Sequence, residues 1–213
     1  MESISVRDGS LIVDNLIVAI QVNKQYLSDI DGAIGDGDHG INMNKGFMLC
    51  REALEKEPGD LIHSLNTLSK ILIMKIGGSM GPLYGKFFKA MAISLDGKSV
   101  ISKFDFLMAL ENVILEIGKI SSAKPGDKTL MDTLVPAVGS FKKAVEEDKS
   151  FKESLEIMVK SARTGRDSTK DMIALIGRAS RLGERSRGVL DAGAASCFII
   201  LDTMAESVKQ LLL

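Results

Sequence analysis

Apolar residues recur along most of this chain at the three- and four-residue spacing of helices that bury one face. The first stripe, at Ile12, Leu16, Ile17 and Ile20, predicts a helix that runs to about Ser28. Later stripes predict further helices at 61–76, 82–91, 102–117, 129–146, 151–163 and 194–212. The periodic pattern therefore predicts an all-α protein.

Several of these helices carry recognisable boundary signals. Gly77 and Gly78 stop the second helix, and Pro82 suits the first turn of the next one, where its missing N–H is not needed. Ser102 is a suitable N-cap for the following helix. Pro136 is expected to kink the helix that contains it, because proline removes one hydrogen bond of the helical ladder.

The connections between these helices are short, and no run of alternating apolar and polar residues predicts a strand. Short connections favour antiparallel neighbours, so the expected architecture is an up-and-down helical bundle or barrel. No Ser- or Pro-rich linker divides the sequence. We therefore predict a single domain over residues 1–213.

The charge balance narrows the functional classes. Lysine and arginine number 27 and aspartate and glutamate 28, a net charge of -1 that argues against a nucleic-acid partner. The sequence has neither the ~20 consecutive apolar residues of a membrane span nor the pattern of a signal peptide. We expect a cytoplasmic protein without a membrane partner. Its two cysteines, Cys50 and Cys197, are then expected to be reduced core thiols.

The most informative segment contains three aspartates, Asp31, Asp36 and Asp38, placed among glycines within eight residues. Like charges at such spacing disfavour joint ionisation unless a cation neutralises them. Carboxylate oxygens suit the hard cations Mg²⁺ and Ca²⁺ rather than zinc. The segment therefore predicts a metal site.

The spacing of the aspartates also bears on the identity of the metal. An EF-hand loop begun at Asp36 would need a glycine at Ile41 and a glutamate at Phe47, which excludes calcium by that route. Mg²⁺ takes a few carboxylates and fills its octahedron with water and phosphate oxygens, so the segment also predicts a phosphorylated ligand. The alternative is an Asx-rich turn that caps the next helix. The neighbouring His39 and Asn42 favour the metal site.

The aspartate segment and three later segments resemble, in the same order, the motifs of the dihydroxyacetone kinase L-subunit family. The later segments are GGSMGPLYG at 77–85, PGDKT at 125–129, and GRASRLGERS at 177–186, which continues to DAGA at 191–194. The correspondence spans nearly the whole chain, and four ordered motifs are more specific than one glycine pattern. The resemblance implies a barrel of eight antiparallel helices with a nucleotide site at one end.

The resemblance also assigns site residues. Asp31, Asp36 and Asp38 would bind two Mg²⁺ ions that bridge the diphosphate of ADP or ATP. Ser79 lies at the glycine turn that contacts phosphate, and Leu130 falls where the family packs against adenine. The other nucleotide-binding residues implied by the resemblance are His39, Asn42, Met80, Ser121, Arg178, Asp191, Ala192 and Gly193.

Four of these positions depart from the better-known family pattern. The pattern has serine at Met80, so this chain lacks one hydroxyl donor to phosphate, although the backbone amides there remain available. It has glycine at Ser121, methionine at Leu130 and proline at Ala192. The changes at Met80 and Ser121 bear on nucleotide affinity, whereas the other two retain an apolar wall and a turn.

The resemblance implies that this chain is one component of a kinase in glycerol metabolism. The L subunit presents ATP, whereas a partner K subunit holds dihydroxyacetone covalently on a histidine and supplies acid–base groups. In phosphotransferase-linked systems, a phosphohistidine on an M subunit recharges the bound ADP.

Two alternatives stay open at this point. One is the equivalent subunit of a kinase for another short ketose or a tetrose. The other is a regulatory binding protein whose ADP state is read by a transcription regulator. A lipid-kinase arrangement is disfavoured, since that branch normally carries the domain within a longer chain.

Overall fold

The computed structural model describes residues 2–213, which form nine α-helices and one short antiparallel ladder. The helices are α1 (Ser10–Val22), α2 (Lys24–Ile34), α3 (His39–Lys56), α4 (Leu61–Lys75), α5 (Met80–Leu95), α6 (Lys103–Gly118), α7 (Met131–Glu146), α8 (Phe151–Ser168) and α9 (Ala192–Leu211). The strands are β1 (Ser3–Ser5) and β2 (Val100–Ser102), and short 3-10 segments lie at Thr169–Asp171 and Arg178–Ser186. The predicted all-α class is confirmed.

The helices pack in a closed ring. Each helix from α3 to α9 packs against the helix before it along the chain, and α9 returns to pack against α1. Every helix contributes side chains to one continuous hydrophobic core. The predicted helical bundle is therefore closed into a barrel, in which each helix of the ring packs against a neighbour on either side.

The connections gather at two ends of the barrel. Residues 35–38, residues 76–79, the α6–α7 loop (119–130) and the α8–α9 connection (169–191) all contribute to the walls of one cavity. The connections that follow α3, α5 and α7 meet at the other end, where β1 pairs with β2. This alternation brings four distant sequence segments together at one end.

The predicted boundaries of several helices are confirmed. Ser102 caps α6 through a reciprocal capping box with Asp105, and α4 ends at Lys75, with Ile76 between it and the glycine pair. Because α5 begins at Met80, Pro82 lies in its first turn as predicted. Pro136 lies within α7 without ending it.

The N-terminal half also departs from the prediction in three ways. The first predicted helix is two helices, since Asn23, with ψ near 6°, interrupts it, and α2 continues to Ile34. This break gives nine helices within residues 2–213 where the resemblance implies eight. The expectation of no strands is wrong for the short ladder of β1 and β2. Helix α3 was not predicted from periodicity.

Three phenylalanines of the core pack against one another. Phe106, Phe141 and Phe151 pack edge to face or tilted at the junction of α6, α7 and α8. Cys50 and Cys197 are buried free thiols, as predicted. Within residues 2–213, every helix is too short or too polar to cross a bilayer.

Candidate functional site

A cavity of about 330 Å³ opens at the end of the barrel where the four connections meet. Its walls combine an acidic side, a glycine turn and an apolar side. All of the site residues that the sequence predicted contribute to its lining, namely Asp31, Asp36, Asp38, His39, Asn42, Ser79, Met80, Ser121, Leu130, Arg178, Asp191, Ala192 and Gly193. The structure therefore brings the predicted residues together, while their individual roles stay predictions.

The three aspartates converge at the acidic side of this cavity. One carboxylate oxygen from each of Asp31, Asp36 and Asp38 lies within 4.8 Å of the other two. Asp31 belongs to the last turn of α2 rather than to a loop, and Asp38 is the residue directly before α3. The cluster is therefore built from a helix end, a short connection and a helix start, which fixes the directions of its carboxylates.

Two glycines allow this close approach. A Cβ added at Gly35 would lie 2.6 Å from Oδ1 of Asp31, a distance that real Cβ atoms do not adopt. Gly37 has a φ of 76°, in the left-handed region that glycine adopts without strain. The connection between α2 and α3 thus needs glycine at both positions to fold the aspartates toward one another.

The donors at the cluster fit a hard divalent cation. Oxygen atoms from three carboxylates match the ligand chemistry of Mg²⁺, which fills its remaining positions with water or phosphate oxygens. Arg178 reaches over the cluster and forms an ion pair with Asp36. The backbone N–H of His39 also donates to Oδ2 of Asp31 at 3.2 Å. A positively charged group therefore already lies where the carboxylates concentrate negative charge.

His39 belongs to a hydrogen-bonded chain behind the aspartates. Its Nε2 lies 2.9 Å from Oγ of Ser196, which in turn lies 2.6 Å from the hydroxyl of Tyr84. That hydroxyl also lies 3.1 Å from the carbonyl of Gly193. Burial lowers the pKa of His39 to about 4, against the opposing effect of Asp31. His39 is therefore a neutral imidazole that links α3 to α5 and α9.

The glycine turn before α5 forms a second wall. Gly78 has a φ of 70°, and added Cβ atoms at Gly77 and Gly78 would meet no heavy atom within 4 Å. The side chain of Ser79 makes no capping hydrogen bond to the first turn of α5. The first-turn N–H groups of a helix attract anions. Met80 is 8% exposed, so its side chain is directed largely into the core.

The apolar side of the cavity comes from α5, α6 and the α6–α7 loop. Leu130 is buried, and Leu83 and Ile117 also line this side. Oγ of Ser121 accepts a hydrogen bond from the N–H of Ala123 at 3.2 Å, so this hydroxyl shapes its own turn. This side can enclose a flat apolar group, because ligand pockets are lined mainly by apolar side chains.

The α8–α9 connection supplies the fourth wall. Asp191 caps α9 and accepts a hydrogen bond from the N–H of Ala194 at 2.7 Å. Burial raises the pKa of Asp191 to about 7, and this hydrogen bond opposes the rise. Ala192 and Gly193 form the first turn of α9 directly beside the cavity.

The comparisons with known proteins agree with this geometry. Residues 33–206 match the family model described as the DAK2 domain. The chain belongs to the DAK2 domain family. This membership confirms the predicted relation to the dihydroxyacetone kinase L subunit.

Relatives of this DAK2 domain chain are similar over nearly their whole length. It is 37% identical over 189 residues to the ADP-binding subunit DhaL of the PEP-dependent dihydroxyacetone kinase 1 of Listeria innocua, covering 88% of this chain and 89% of the relative. It is 36% identical over 190 residues to the ADP-binding subunit DhaL of the PTS-dependent dihydroxyacetone kinase of Lactococcus lactis, covering 89% of this chain and 91% of the relative. These relatives are subunits of kinases that phosphorylate an alcohol.

A solved structure supports the fold of this DAK2 domain. The dihydroxyacetone kinase of C. freundii in complex with AMP-PNP and Mg²⁺ superposes with a TM-score of 0.69 at 23% sequence identity. The match covers 93% of this chain and 33% of that longer chain. At this identity, the similarity shows a shared helical fold.

Other residues of the DAK2 domain site received no role from the sequence. Tyr84 and Lys128 lie inside matched motifs and line the cavity, yet residue type alone does not show which hydrogen bonds they make. Gly35 carries no functional group. The signals of Tyr84 and Lys128 were present only as membership of a motif, because each acts through contacts with distant segments.

Proposed function

We propose that this chain is the ADP-binding subunit of a dihydroxyacetone kinase, which transfers the γ-phosphoryl group of ATP to dihydroxyacetone held by a partner K subunit. The observation that carries the proposal is the convergence of three carboxylates at one side of a cavity that also has a glycine turn and an apolar wall. These are the three environments that metal, phosphate and adenine require.

Asp31, Asp36 and Asp38 are the residues that would hold Mg²⁺, and we propose two ions. Bound Mg²⁺ supplies neutralisation of charge on the transferring phosphoryl group. Asp36 is the most exposed of the three and lines the cavity, so a phosphate can reach it. The aspartates thus fix the phosphates at the mouth of the barrel.

The remaining walls bind the nucleotide. Leu130 with its apolar neighbours would enclose the adenine, while Ser79 and Met80, which line the cavity, would offer backbone N–H groups to the phosphates. Arg178 has a side chain 60% exposed, so it can turn from Asp36 toward a bound phosphate. This exchange of partners would keep the guanidinium paired with an anion in both states.

The sugar and the acid–base groups are assigned to the partner K subunit. The sequence contains two histidines, and both are engaged in hydrogen bonds. His39 is tied to Ser196, and His63 belongs to α4, with its Nε2 3.0 Å from the carbonyl of Glu57. This arrangement supports a division in which the present chain carries the nucleotide and its partner carries the triose.

The phosphoryl donor that recharges ADP is proposed to be the phosphohistidine of an M subunit in a phosphotransferase system. The names of the Listeria and Lactococcus relatives, PEP-dependent and PTS-dependent, support this source. In such a cycle the nucleotide remains bound as a cofactor. The cavity opens at the end of the barrel, and this opening provides the route by which a phosphoprotein would approach.

Calorimetric titration with ADP tests the proposal. The wild-type and variant chains are first stripped of retained nucleotide with EDTA and then dialysed. The wild-type chain is expected to bind ADP when Mg²⁺ is added back, and Asp36→Asn is expected to weaken that affinity at least about ten-fold. Asp29→Asn is the matched control, because Asp29 is exposed on α2 and, within residues 2–213, accepts a side-chain hydrogen bond only from Gln25. Equal ADP affinity with and without Mg²⁺, or an unaffected Asp36→Asn variant, would contradict the site. Dihydroxyacetone kinase turnover by the purified chain alone would contradict the division between subunits.

A further inference from the structure

Lys128 combines two unusual features at the edge of the cavity. Its backbone has a φ of 61°, in the left-handed region that glycine and asparagine favour over a long side chain. Its side chain is also 1% exposed, although lysine is among the residues least often fully buried. Local backbone strain of this kind persists where surrounding contacts enforce it, and it is common at functional sites.

The contacts that enforce this conformation are made by the ammonium group. Nζ of Lys128 donates to the carbonyls of Met172 at 3.2 Å, Ser186 at 2.5 Å and Val189 at 2.7 Å. An ammonium has three N–H donors, so its donor capacity is filled by these carbonyls. All three lie in the α8–α9 connection, on both sides of the stretch that carries Arg178. The side chain of Lys128 therefore joins the segments before and after the stretch that carries Arg178.

We call the contacts between Lys128 and residues 172–189 the clamp. The α6–α7 loop, which carries Lys128, is itself held by hydrogen bonds. The carboxylate of Asp132 accepts hydrogen bonds from the N–H groups of Gly126 at 2.6 Å and Thr129 at 2.7 Å, which fixes the α6–α7 loop on either side of Lys128. The carbonyl of Asp127 also accepts a hydrogen bond from the N–H of Leu175 at 3.1 Å. The loop that carries Leu130 and the connection that carries Arg178 are therefore fastened into one unit.

The contacts of the Lys128 ammonium favour a positioning role over direct contact with phosphate. All three of its partners are backbone carbonyls, and no carboxylate forms an ion pair with it within residues 2–213. Burial lowers the pKa of Lys128, with Asp191 acting in the opposite direction. A buried ammonium held by carbonyl dipoles is suited to fixing a backbone path.

We propose that Lys128 is a positioning residue of the nucleotide site, whose ammonium holds residues 172–189 so that Arg178 and Asp191 face the cavity. The clamp itself rests on the contacts above, whereas its consequence for nucleotide binding rests on the proposed function. Without the ammonium, the buried carbonyl of Ser186 and the partly buried carbonyls of Met172 and Val189 would lose this partner, and the segment would leave its path.

Lys103 is a matched control at the opposite end of the barrel. It is 7% exposed, and its Nζ donates to Oδ1 of Asp148 at 2.9 Å and to the carbonyl of Lys149 at 2.6 Å. It therefore also ties a helix start to a connection through a buried ammonium. A purely structural effect of removing a buried lysine should be similar for Lys103 and Lys128.

The test compares Lys128→Met, Lys128→Gly and Lys103→Met in the full-length chain. Hydrogen–deuterium exchange measures the local effect, and titration with ADP and Mg²⁺ measures the effect on the site. Lys128→Met is expected to exchange faster in residues 172–189 and to bind ADP about ten-fold more weakly. Lys128→Gly relieves the left-handed backbone while removing the ammonium, so it should show the same two losses. Lys103→Met should keep wild-type ADP affinity and normal exchange in residues 172–189.

Each other outcome has a defined meaning. Normal exchange in residues 172–189 or wild-type ADP affinity in both Lys128 variants would overturn the proposal, as would an equal loss of affinity in Lys103→Met. If both Lys128 variants fail to fold while Lys103→Met folds, Lys128 serves the fold and the positioning role is wrong. If the wild type does not bind ADP, the proposed function fails, and exchange in residues 172–189 still decides whether the clamp exists.

Discussion

At the scale of single residues, Gly35 decides whether the aspartate cluster can form. A Cβ at this position would lie 2.6 Å from Oδ1 and 2.9 Å from the carbonyl oxygen of Asp31. Any side chain here therefore pushes the Asp31 carboxylate away from Asp36 and Asp38. Gly35, which has no side-chain functional group, therefore controls the spacing of the three carboxylates.

We predict that Gly35→Ala weakens the affinity for ADP and Mg²⁺ about ten-fold or more, because the Asp31 carboxylate is displaced. Calorimetric titration measures this effect, and circular dichroism checks that the helical content is unchanged. Gly139→Ala is the control, since Gly139 is an exposed residue of α7 whose added Cβ would meet nothing within 4 Å. That control is expected to stabilise the protein by up to about 1 kcal/mol. Wild-type affinity in Gly35→Ala would show that the cluster does not depend on this approach.

Individual residues also show which parts of this site can be predicted from the sequence. Asp31, Asp36 and Asp38 lie within eight residues of sequence, so their local spacing is enough to predict that they meet. The ion pair between Asp36 and Arg178 joins segments from opposite ends of the chain, and no local pattern predicts it. Motif resemblance placed Arg178 at the cavity, but only the structure supplies its partner.

At the scale of elements, α3 shows why periodicity fails for some helices. Glycines interrupt its apolar pattern, and in sequence they indicate a loop. The structure uses them for close helix packing instead. A Cβ at Gly40 would lie 1.9 Å from the carbonyl oxygen of Lys24, and one at Gly46 would lie 2.6 Å from Cδ2 of Leu72. These glycines let α3 approach α2 and α4, a non-local requirement that a single sequence does not reveal.

The short ladder of β1 and β2 was missed for a related reason. Each strand has three residues, too few to show alternation. The strands pair because the chain start and the connection after α5 meet at the same end of the barrel. Helix α6, by contrast, begins where predicted, because its cap is local.

We predict that Ser102→Ala lowers the free energy of unfolding by about 1 kcal/mol. Oγ of Ser102 accepts from the N–H of Asp105, and the Asp105 carboxylate accepts in return from the N–H of Ser102. Urea unfolding measures the loss. ADP affinity should stay at the wild-type value, since this cap lies at the end of the barrel opposite the cavity. A loss of ADP affinity as large, in free energy, as the loss of stability would contradict this prediction and show that the two ends of the barrel are coupled.

At the scale of the whole molecule, the alternation of connections explains why four motifs distant in sequence form one site. An up-and-down barrel places every second connection at the same end, and the motifs occupy those four connections. The sequence predicted the helical class, most of the helices and the residues around the cavity. It did not predict the clamp at Lys128, because that clamp depends on carbonyl groups whose positions follow from the fold.

The same arrangement links nucleotide binding to global stability. A ligand that contacts all four connections binds the folded chain and not the unfolded one. Its stabilisation at a concentration of 100 times Kd is about 2.7 kcal/mol. For a chain of this size, each kcal/mol raises the midpoint of thermal unfolding by roughly 2–4 °C. Nucleotide retained through purification therefore contributes to the stability that is measured.

The central claim is that the aspartate cluster holds a nucleotide through Mg²⁺, and native mass spectrometry tests it most directly. The purified wild-type chain is expected to carry an added mass equal to ADP plus two Mg²⁺ ions. That mass should disappear after treatment with EDTA and should be absent from Asp36→Ala. A wild-type chain that retains no nucleotide, and binds none when ADP and Mg²⁺ are added, would contradict the account.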